Sequence, residues 1–293
     1  MTVKLPNLFI VGPGRTGSTS LFRALSQSDD ICVSSVKEIG RYRELLFGNE
    51  LSSVSSYEKY FNPKGAEKYL VDGTPGYFVG GEIIANKIKE ECGPSKIIIT
   101  VRDPTDRSYS LYKHVRNKQG YSLDESFDEF VIKSIGFSAN HIDEENVRYL
   151  CMEENRYGKL ITEWSHTFGD ESILILDYDK LNEIEYIRKN VGQFLDVDLS
   201  GISIPRDNVS TKPKYGFIHK QALKLNALFE PVLTKSPYFK RMLSRIYYMI
   251  NSSIETESVQ VVTRERINAF LKDDALRLRK VLSAKGIEVN WLR

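Results

Sequence analysis

A glycine-rich segment at residues 12–19, Gly-Pro-Gly-Arg-Thr-Gly-Ser-Thr, has the composition of an anion-binding loop. It follows a short apolar run at residues 7–12 and precedes an amphipathic helical pattern at residues 18–28. Between a strand and a helix, backbone N–H groups and the positive end of the helix dipole can hold a phosphate or sulfate. One charge and three hydroxyls add donors to the same turn: Arg15, Thr16, Ser18 and Thr19. The segment therefore predicts an anion site rather than a plain tight turn.

This loop departs from the pattern of nucleoside-triphosphate P-loops, G-x-x-x-x-G-K-[ST], in one important respect. Gly12 and Gly17 keep the spacing of the two glycines, but Ser18 stands where that pattern has lysine. The cation lies inside the loop instead, as Arg15, near where a terminal phosphate or sulfate would lie. We therefore expect the loop to bind a smaller anion without requiring magnesium.

A second anion site is predicted where an apolar run at residues 96–101 ends in Arg102. Asp103 and Pro104 then have the types of an N-cap and a first helical residue, so a helix would carry Ser110. The carboxyl ends of parallel strands form the ligand-binding edge of an open α/β sheet. Arg102 is suited to charge-assisted hydrogen bonds with a phosphate, and Ser110 can add a donor. One ligand with two anionic ends would bridge both sites.

The two motifs together resemble those of the sulfotransferases that use 3′-phosphoadenosine 5′-phosphosulfate (PAPS). Pro13–Thr19 is similar to the family's 5′-phosphosulfate loop, and Arg102–Ser110 is similar to its 3′-phosphate motif. A weaker similarity extends through residues 72–78, residues 173–181 and a C-terminal helix ending near Trp291. The resemblance implies a P-loop-like sulfotransferase fold, PAPS as sulfuryl donor, 3′-phosphoadenosine 5′-phosphate (PAP) as product, and no required metal.

The resemblance also assigns nucleotide-binding residues. By this similarity the donor is held by the loop and the second motif, through Arg15, Thr16, Gly17, Ser18, Thr19, Arg102 and Ser110. The segment at residues 210–215 loosely resembles the basic loop that covers the nucleotide in this family, which adds Lys212 and Lys214 as candidates. Two lysines in a polar loop are more often simply solvated, and that alternative stays open.

The segment around Lys37 and Glu38 is more similar to the glycan-modifying and bacterial branch than to the phenol and steroid branch. The resemblance implies that Glu38 is the catalytic base and that Arg15 stands where these enzymes usually carry a lysine on the transferring group. A surface ion pair with Lys37 or Arg41 is the ordinary alternative for Glu38. Gly73 replaces a lysine of the glycan enzymes, so one substrate-side cation is missing or supplied elsewhere. The implied acceptor is a hydroxyl or amine of a carbohydrate or glycoconjugate, with a small alcohol or phenol as alternative.

Two functions of other classes stay open at this point. A P-loop kinase or nucleotide hydrolase would share the fold, but it would need magnesium and an acidic ligand after a strand, for which Asp72 or Asp177 could serve. The missing loop lysine argues against it. A nucleotide-binding or PAP-sensing module would keep both anion sites without requiring Glu38. Tyr42, Tyr77 and Phe78 could line an acceptor cleft, although burial in the core is at least as common for such residues.

Strand-length apolar runs that alternate with helical patterns must position these residues. After the run at residues 7–12, further runs occur at 68–71, 97–101 and 173–176, separated by helical periodicity at 81–91, 104–118 and 145–168. This order predicts an α/β fold with a mostly parallel sheet flanked by helices. Later helical patterns at 217–229, 236–250 and 263–284 predict a C-terminal helical extension. We expect one domain over residues 1–293, with an α/β nucleotide-binding core to residue 204 and a basic loop and helical extension at 205–293.

Composition excludes several classes of protein. The 293 residues include 41 Lys and Arg against 39 Asp and Glu, a net charge of +2 that is too balanced for a surface devoted to nucleic acid. No apolar stretch approaches the roughly 20 residues of a membrane span, and the start lacks the pattern of a signal peptide, so a cytoplasmic location is expected. Cys32, Cys92 and Cys151 lack metal-ligand spacing and are expected to be reduced packing residues.

Overall fold

A five-stranded parallel sheet forms the centre of the computed structural model, which describes residues 5–116, 125–137, 142–204, 211–213, 252–254 and 259–292. The strand order is β2-β3-β1-β4-β5, and each neighbouring pair is parallel. The strands are β1 (Leu8–Ile10), β2 (Ile31–Val33), β3 (Tyr69–Asp72), β4 (Lys96–Val101) and β5 (Ile173–Asp177). The predicted α/β class and parallel sheet are confirmed, while β2 is an edge strand that the sequence patterns did not predict.

Helices surround this sheet. They are α1 (Ser18–Leu25), α2 (Val54–Glu58), α3 (Gly81–Cys92), α4 (Pro104–Arg116), α5 (Phe127–Gly136), α6 (Cys151–Glu154), α7 (Tyr157–Phe168), α8 (Ile184–Leu195) and α9 (Val261–Ala284). Short 3₁₀ turns lie at Arg41–Phe47, Pro75–Gly80, Val147–Leu150, Asp170–Ser172 and Tyr178–Lys180. Within the described ranges, none of the helices combines the length and apolar character needed to cross a bilayer. The helices predicted at 217–229 and 236–250 lie outside the described residues.

Alternation along the strands produces a hydrophobic layer on each face of the sheet. On β1, Phe9 belongs to the layer that contains α3, α7 and α9, whereas Leu8 and Ile10 belong to the layer that contains α1 and α8. All three side chains are fully buried, as expected for a central parallel strand covered on both faces. The sheet is therefore a rigid base from whose carboxyl edge the loops project.

The helix predicted at residues 145–168 is divided, so the prediction of one continuous helix is wrong. A 3₁₀ turn and the short α6 precede α7, and Asn155 lies at the break. The Asn155 Nδ2 donates to Ser108 Oγ at 2.8 Å, and its Oδ1 accepts from Arg107 Nε at 2.5 Å. A short polar side chain engaged with a neighbouring helix competes with regular helical geometry.

The last helix, α9, packs on α7 within the same compact unit as the sheet, which comprises Met1–Lys113, Asp124–Arg206 and Gln260–Arg293. Asp274 accepts hydrogen bonds from the backbone N–H groups of Gly158 and Lys159, both at 2.8 Å, and so caps α7. A second unit comprises His114–Leu123 and Asp207–Val259. Its described part includes β6 (Thr211–Pro213) paired antiparallel with β7 (Ser252–Ile254). The single domain with a division at residue 204 stays a prediction.

Candidate active site

The glycine-rich loop crosses closely over the end of β4. A Cβ on Gly12 would lie 2.5 Å from the Thr100 backbone nitrogen and 2.6 Å from its carbonyl oxygen, so only glycine fits there. Thr16 fastens the loop further, because its hydroxyl donates to the Pro13 carbonyl and pairs with the Thr100 hydroxyl, each at 2.6 Å. Thr16 is fully buried. Its hydroxyl is thus used within the fold, and Thr16 would reach an anion through its backbone N–H.

The loop leads directly into the first turn of α1, whose backbone N–H groups are suited to binding an anion. Gly17, the N-cap, has a φ of 81° and no side-chain acceptor, and the first turn contains no acidic residue. The N–H groups of the first turn of a helix lack intrahelical partners, and they carry the positive end of the dipole. Ser18 and Thr19 begin the helix at this point. The expected succession of strand, glycine loop and helix is therefore present.

Arg15 joins the loop to the second motif. Its Nε donates to Ser110 Oγ of α4 at 3.1 Å, and its carbonyl oxygen accepts from a guanidinium nitrogen of Arg102 at 3.2 Å. Burial, followed by the charge of Arg102, lowers the pKa of the Arg15 guanidinium. Two arginines held this close form a concentrated positive charge that favours a polyanionic ligand.

The carboxyl ends of β4 and β5 explain how Arg102 is placed. Val101 and Asp177 are partners in the register of these strands, so the residues after them, Arg102 and Tyr178, emerge side by side. The Arg102 guanidinium lies 4.2 Å from the centroid of the Tyr178 ring. A cation over an aromatic face is stabilised and its orientation is restricted. Tyr178 also borders the loop, since a Cβ on Gly17 would lie 3.2 Å from its ring.

Arg107 of α4 stabilises the glycine-rich loop through a hydrogen bond to its backbone. It is fully buried, and its guanidinium donates to the Gly14 carbonyl at 3.3 Å and to the Glu154 carboxylate at 2.8 Å. The same group donates to the Cys151 carbonyl at 2.6 Å. Because an unpaired buried guanidinium would be costly, this full set of partners fixes the distance between the loop and α6.

Glu38, the predicted base, lies on the segment between β2 and the turn at Arg41–Phe47. Its side chain is 58% exposed and forms an ion pair with Lys37 Nζ at 2.5 Å. Its charge acts on Arg15, where it opposes the lowering of that pKa. Glu38 is thus close enough to the loop arginine to interact electrostatically, and enough of it is exposed to meet an acceptor.

The two acidic residues that a kinase would need, Asp72 and Asp177, are both buried. Asp72 is fully buried and accepts hydrogen bonds from the hydroxyls of Thr74, Tyr57 and Tyr77 at 2.6 to 3.0 Å. Asp177 is 1% exposed, and its Oδ1 accepts from the Asp179 N–H at 3.2 Å. Neither carboxylate faces the loop as an exposed ligand.

The structure brings together most of the predicted residues. Seven predicted nucleotide-binding residues belong to the unit that contains the sheet, and they lie together at the carboxyl edge of the sheet: Arg15, Thr16, Gly17, Ser18, Thr19, Arg102 and Ser110. Lys212 lies in β6, opposite Ser253. Lys214 lies outside the described residues. Tyr42, Tyr77 and Phe78 are fully buried in the core and therefore do not line a cleft.

Three contributors were not predicted. Tyr178 could have been found, because it directly follows a strand at the ligand-binding edge. Arg107 gave no signal, since an arginine on a predicted surface helix is ordinarily solvated. The sequence also gave no signal for Thr100, because a threonine inside an apolar run is typical of a strand.

Comparisons with known proteins agree with this architecture. Residues 86–215 match the family model described as "Sulfotransferase domain". The chain is 26% identical over 263 residues to the bifunctional heparan sulfate N-deacetylase/N-sulfotransferase 1 of Caenorhabditis elegans, a match covering 85% of this chain and 29% of the relative. It is 27% identical over 200 residues to the corresponding enzyme 4 of Mus musculus, covering 66% and 22%. The chain thus spans less than a third of the length of these curated relatives.

The fold has a close counterpart among solved structures. The crystal structure of a sulfotransferase from Alicyclobacillus acidocaldarius superimposes with a TM-score of 0.70 at 18% sequence identity, covering 99% of this chain and 100% of that one. At this identity the likeness concerns the fold. The chain therefore has the fold of a sulfotransferase, and its residues 86–215 match the sulfotransferase domain model.

Proposed function

We propose that this sulfotransferase transfers a sulfuryl group from PAPS to a hydroxyl or amine of a saccharide acceptor. The observation that carries the donor assignment is the contact between the two anion-binding motifs, in which Arg15 Nε lies 3.1 Å from Ser110 Oγ and the Arg15 carbonyl accepts from Arg102. A donor with a phosphosulfate at one end and a 3′-phosphate at the other needs two positive sites joined in this way. A nucleoside triphosphate, with all its phosphates in one chain, would need only the first.

Each motif would hold one end of PAPS. The N–H groups at the start of α1, together with Arg15, would bind the phosphosulfate, with Ser18 and Thr19 as further donors. Arg102 and Ser110 would bind the 3′-phosphate, with Arg102 oriented by Tyr178. Lys212 and Lys214 are proposed as additional cations toward the nucleotide.

Transfer itself needs three functions from the chain's residues. Glu38 would accept the proton of the acceptor O–H or N–H as the new bond to sulfur forms. Arg15 would stabilise the charge that passes to the 5′-phosphate as the old sulfur–oxygen bond breaks, leaving PAP. Because a guanidinium remains protonated, Arg15 would act by charge and hydrogen bonding and would not donate its proton. PAPS would supply the sulfuryl group, and no metal would be required.

The saccharide acceptor is proposed from two observations. The curated relatives named above are heparan sulfate N-sulfotransferases, which by their name act on an amine of a polysaccharide. The carboxylate proposed as base is 58% exposed, so a large acceptor could reach it from solvent. A small alcohol or phenol is the alternative acceptor.

Transfer from ³⁵S-labelled PAPS tests this proposal. The purified chain would be incubated with a de-N-acetylated glucosaminyl polysaccharide, with its N-acetylated form and with a simple phenol, in parallel with and without excess EDTA. We expect label on a polysaccharide, undiminished by EDTA. Label on the phenol alone would contradict the saccharide proposal. Activity that EDTA abolishes and magnesium restores, with transfer from γ-labelled ATP, would favour the kinase.

A further inference from the structure

The backbone that carries Glu38 has an unusual conformation. Glu38 has a φ of 63°, and Gly40, two residues later, has a φ of 78°. The left-handed region is accessible to glycine but costs a residue with a Cβ roughly 1 kcal/mol or more. A glutamate keeps this conformation only where surrounding contacts hold the segment in place.

Thr74 provides such a contact. Its hydroxyl oxygen accepts a hydrogen bond from the Gly40 N–H at 3.3 Å, and its proton is donated to Asp72 Oδ1 at 2.6 Å. Thr74 and Asp72 are 1% and 0% exposed, so the hydrogen bond between them is shielded from water, and the bond from Gly40 is partly buried. A hydroxyl group has a single proton to donate. Because the Thr74 hydroxyl donates to Asp72, its oxygen lone pairs are available to accept from the Gly40 N–H.

The orientation of the Asp72 carboxylate is itself fixed. Its second oxygen, Oδ2, accepts from the Tyr57 hydroxyl at 2.7 Å and from the Tyr77 hydroxyl at 3.0 Å. Tyr57 and Tyr77 are fully buried, so their rings cannot turn away without disrupting the core. A carboxylate held by three hydroxyl donors is a rigid reference point at the end of β3.

We infer that Thr74, oriented by Asp72, is a positioning residue that holds the turn at residues 38–40 so that the Glu38 carboxylate faces the acceptor. The chain of contacts runs from the sheet through Asp72 and Thr74 to Gly40, and then along the backbone through Ile39 to the base. This inference rests on the proposed function, because it assigns Glu38 the role of base. Thr74 does not touch the reacting atoms, and its effect would be transmitted wholly through Glu38.

Thr74→Val tests the inference, since valine keeps the shape and removes the hydroxyl. We expect kcat to fall about tenfold to a hundredfold, because a displacement on the order of 1 Å at a catalytic group has effects of this size. PAP affinity by calorimetry should stay within about twofold of wild type, and Thr74→Ser should restore kcat. Thr74→Ala provides the same test should valine prevent folding.

Thr167→Val is the matched control. Thr167 is also buried, and its hydroxyl donates to Asn86 Oδ1 of α3 at 2.9 Å, and neither residue is assigned to the site. It should lose thermal stability to a similar extent as Thr74→Val while keeping its kcat. A matching loss of kcat in the control would show that reduced stability alone explains the effect, which would overturn the inference.

A double variant that combines Thr74→Val with Glu38→Gln distinguishes a positioning role of Thr74 from a general loss of structure. If Thr74 acts through Glu38, adding Thr74→Val to Glu38→Gln should change kcat by less than about twofold, because the effects of residues that act as a unit do not add. A further loss equal to that in the single variant would overturn the inference, as would an unchanged kcat in Thr74→Val. A wild-type chain that transfers no sulfuryl group would instead contradict the proposed function, and the role of Thr74 with it.

Discussion

Arg15 is the residue at which the two proposed anion-binding motifs meet. Its φ of 73° is in the left-handed region, and its side chain turns to Ser110 while its carbonyl receives Arg102. Such backbone strain in a non-glycine residue is found mainly at functional sites, where neighbouring contacts hold it. The loop therefore places its one cation through backbone geometry as well as through side-chain length.

Glu38→Gln and Arg15→Ala should affect the reaction differently. Glutamine keeps the shape of Glu38 but lacks the basic oxygen, so kcat should fall by about two to four orders of magnitude while PAP affinity changes little. Arg15→Ala should lower kcat and also weaken PAPS binding, because its charge would contact both donor and transition state. Steady-state kinetics and calorimetry on both variants give the comparison. A Glu38→Gln enzyme with near-normal kcat would place the base elsewhere.

Arg102→Ala should abolish the preference for PAP over adenosine 5′-monophosphate. Removing a charged hydrogen bond to a phosphate costs about 1.5–3 kcal/mol, which corresponds to roughly a tenfold to hundredfold loss of PAP affinity. The affinity for the monophosphate, which lacks the 3′ group, should hardly change. Arg279→Ala, on the exposed face of α9, is the control for loss of one positive charge. Equal losses for both nucleotides would remove the 3′-phosphate role from Arg102.

At the scale of elements, the site depends on how the turn at Arg41–Phe47 is attached to α3. Arg41 is buried and forms an ion pair with Glu91, which also accepts from the Tyr42 hydroxyl at 3.1 Å. The Tyr42 ring in turn contacts Tyr57 and Tyr77 edge-on at centroid distances of 5.7 and 5.4 Å. The segment that carries Glu38 is thus anchored at two adjacent residues that follow it, Gly40 through Thr74 and Arg41 through Glu91.

Glu91→Gln should lower the free energy of unfolding by about 1–3 kcal/mol at pH 7, because it leaves a buried guanidinium without its anion. Burial acts to raise the pKa of Glu91, but the hydrogen bond and charge of Arg41 outweigh it and lower the pKa. A carboxylate whose pKa is depressed in the folded state stabilises above its unfolded pKa and loses that contribution as the pH falls through the folded value. The difference between wild type and Glu91→Gln in urea unfolding should therefore shrink below about pH 4.5.

Glu90→Gln is the control on the same helix. Glu90 is 68% exposed and pairs with Lys87 at 3.0 Å, and exposed pairs contribute little. Its free energy of unfolding should stay within about 0.5 kcal/mol of wild type at pH 7 and at pH 4. An equal effect at both glutamates would show that the Arg41 contact does not anchor the turn.

Sequence patterns predicted the strands and helices that have long periodic signals. They also predicted both candidate anion motifs, because a strand that ends in glycine or arginine marks the ligand-binding edge. They did not predict β2, which has only three residues and shows no alternation. They also gave no sign of the network around Asp72, which depends on hydroxyls from Tyr57, Thr74 and Tyr77. Long-range hydrogen bonds of this kind have no sequence period, so the support of Glu38 became visible only in the fold.

At the scale of the whole molecule, α9 completes the unit that contains the sheet although the second unit separates it in sequence. Leu278 and Leu282 of α9 are 2% exposed and belong to the same hydrophobic layer as Trp164 of α7. Arg264, near the start of α9, also pairs with Asp103 at 3.3 Å, next to the strand end that carries Arg102. The C-terminal helix therefore braces the side of the fold on which the nucleotide motif lies.

Gly158→Ala measures how closely α9 is packed. A Cβ at Gly158 would lie 2.6 Å from the Asp274 carbonyl oxygen and 2.6 Å from the Leu278 nitrogen, and because both are backbone atoms, only a shift of the helix could relieve the overlap. We expect the free energy of unfolding to fall by about 1–3 kcal/mol, the usual cost of overpacking, despite the better helix propensity of alanine. Gly136→Ala at the end of α5 is the matched control, since its Cβ would meet nothing within 4 Å. That variant should be neutral or gain up to about 1 kcal/mol. Two variants of equal stability in urea unfolding would show that α7 and α9 do not approach as closely as described, and that the C-terminal helix is less integral to the nucleotide-binding unit.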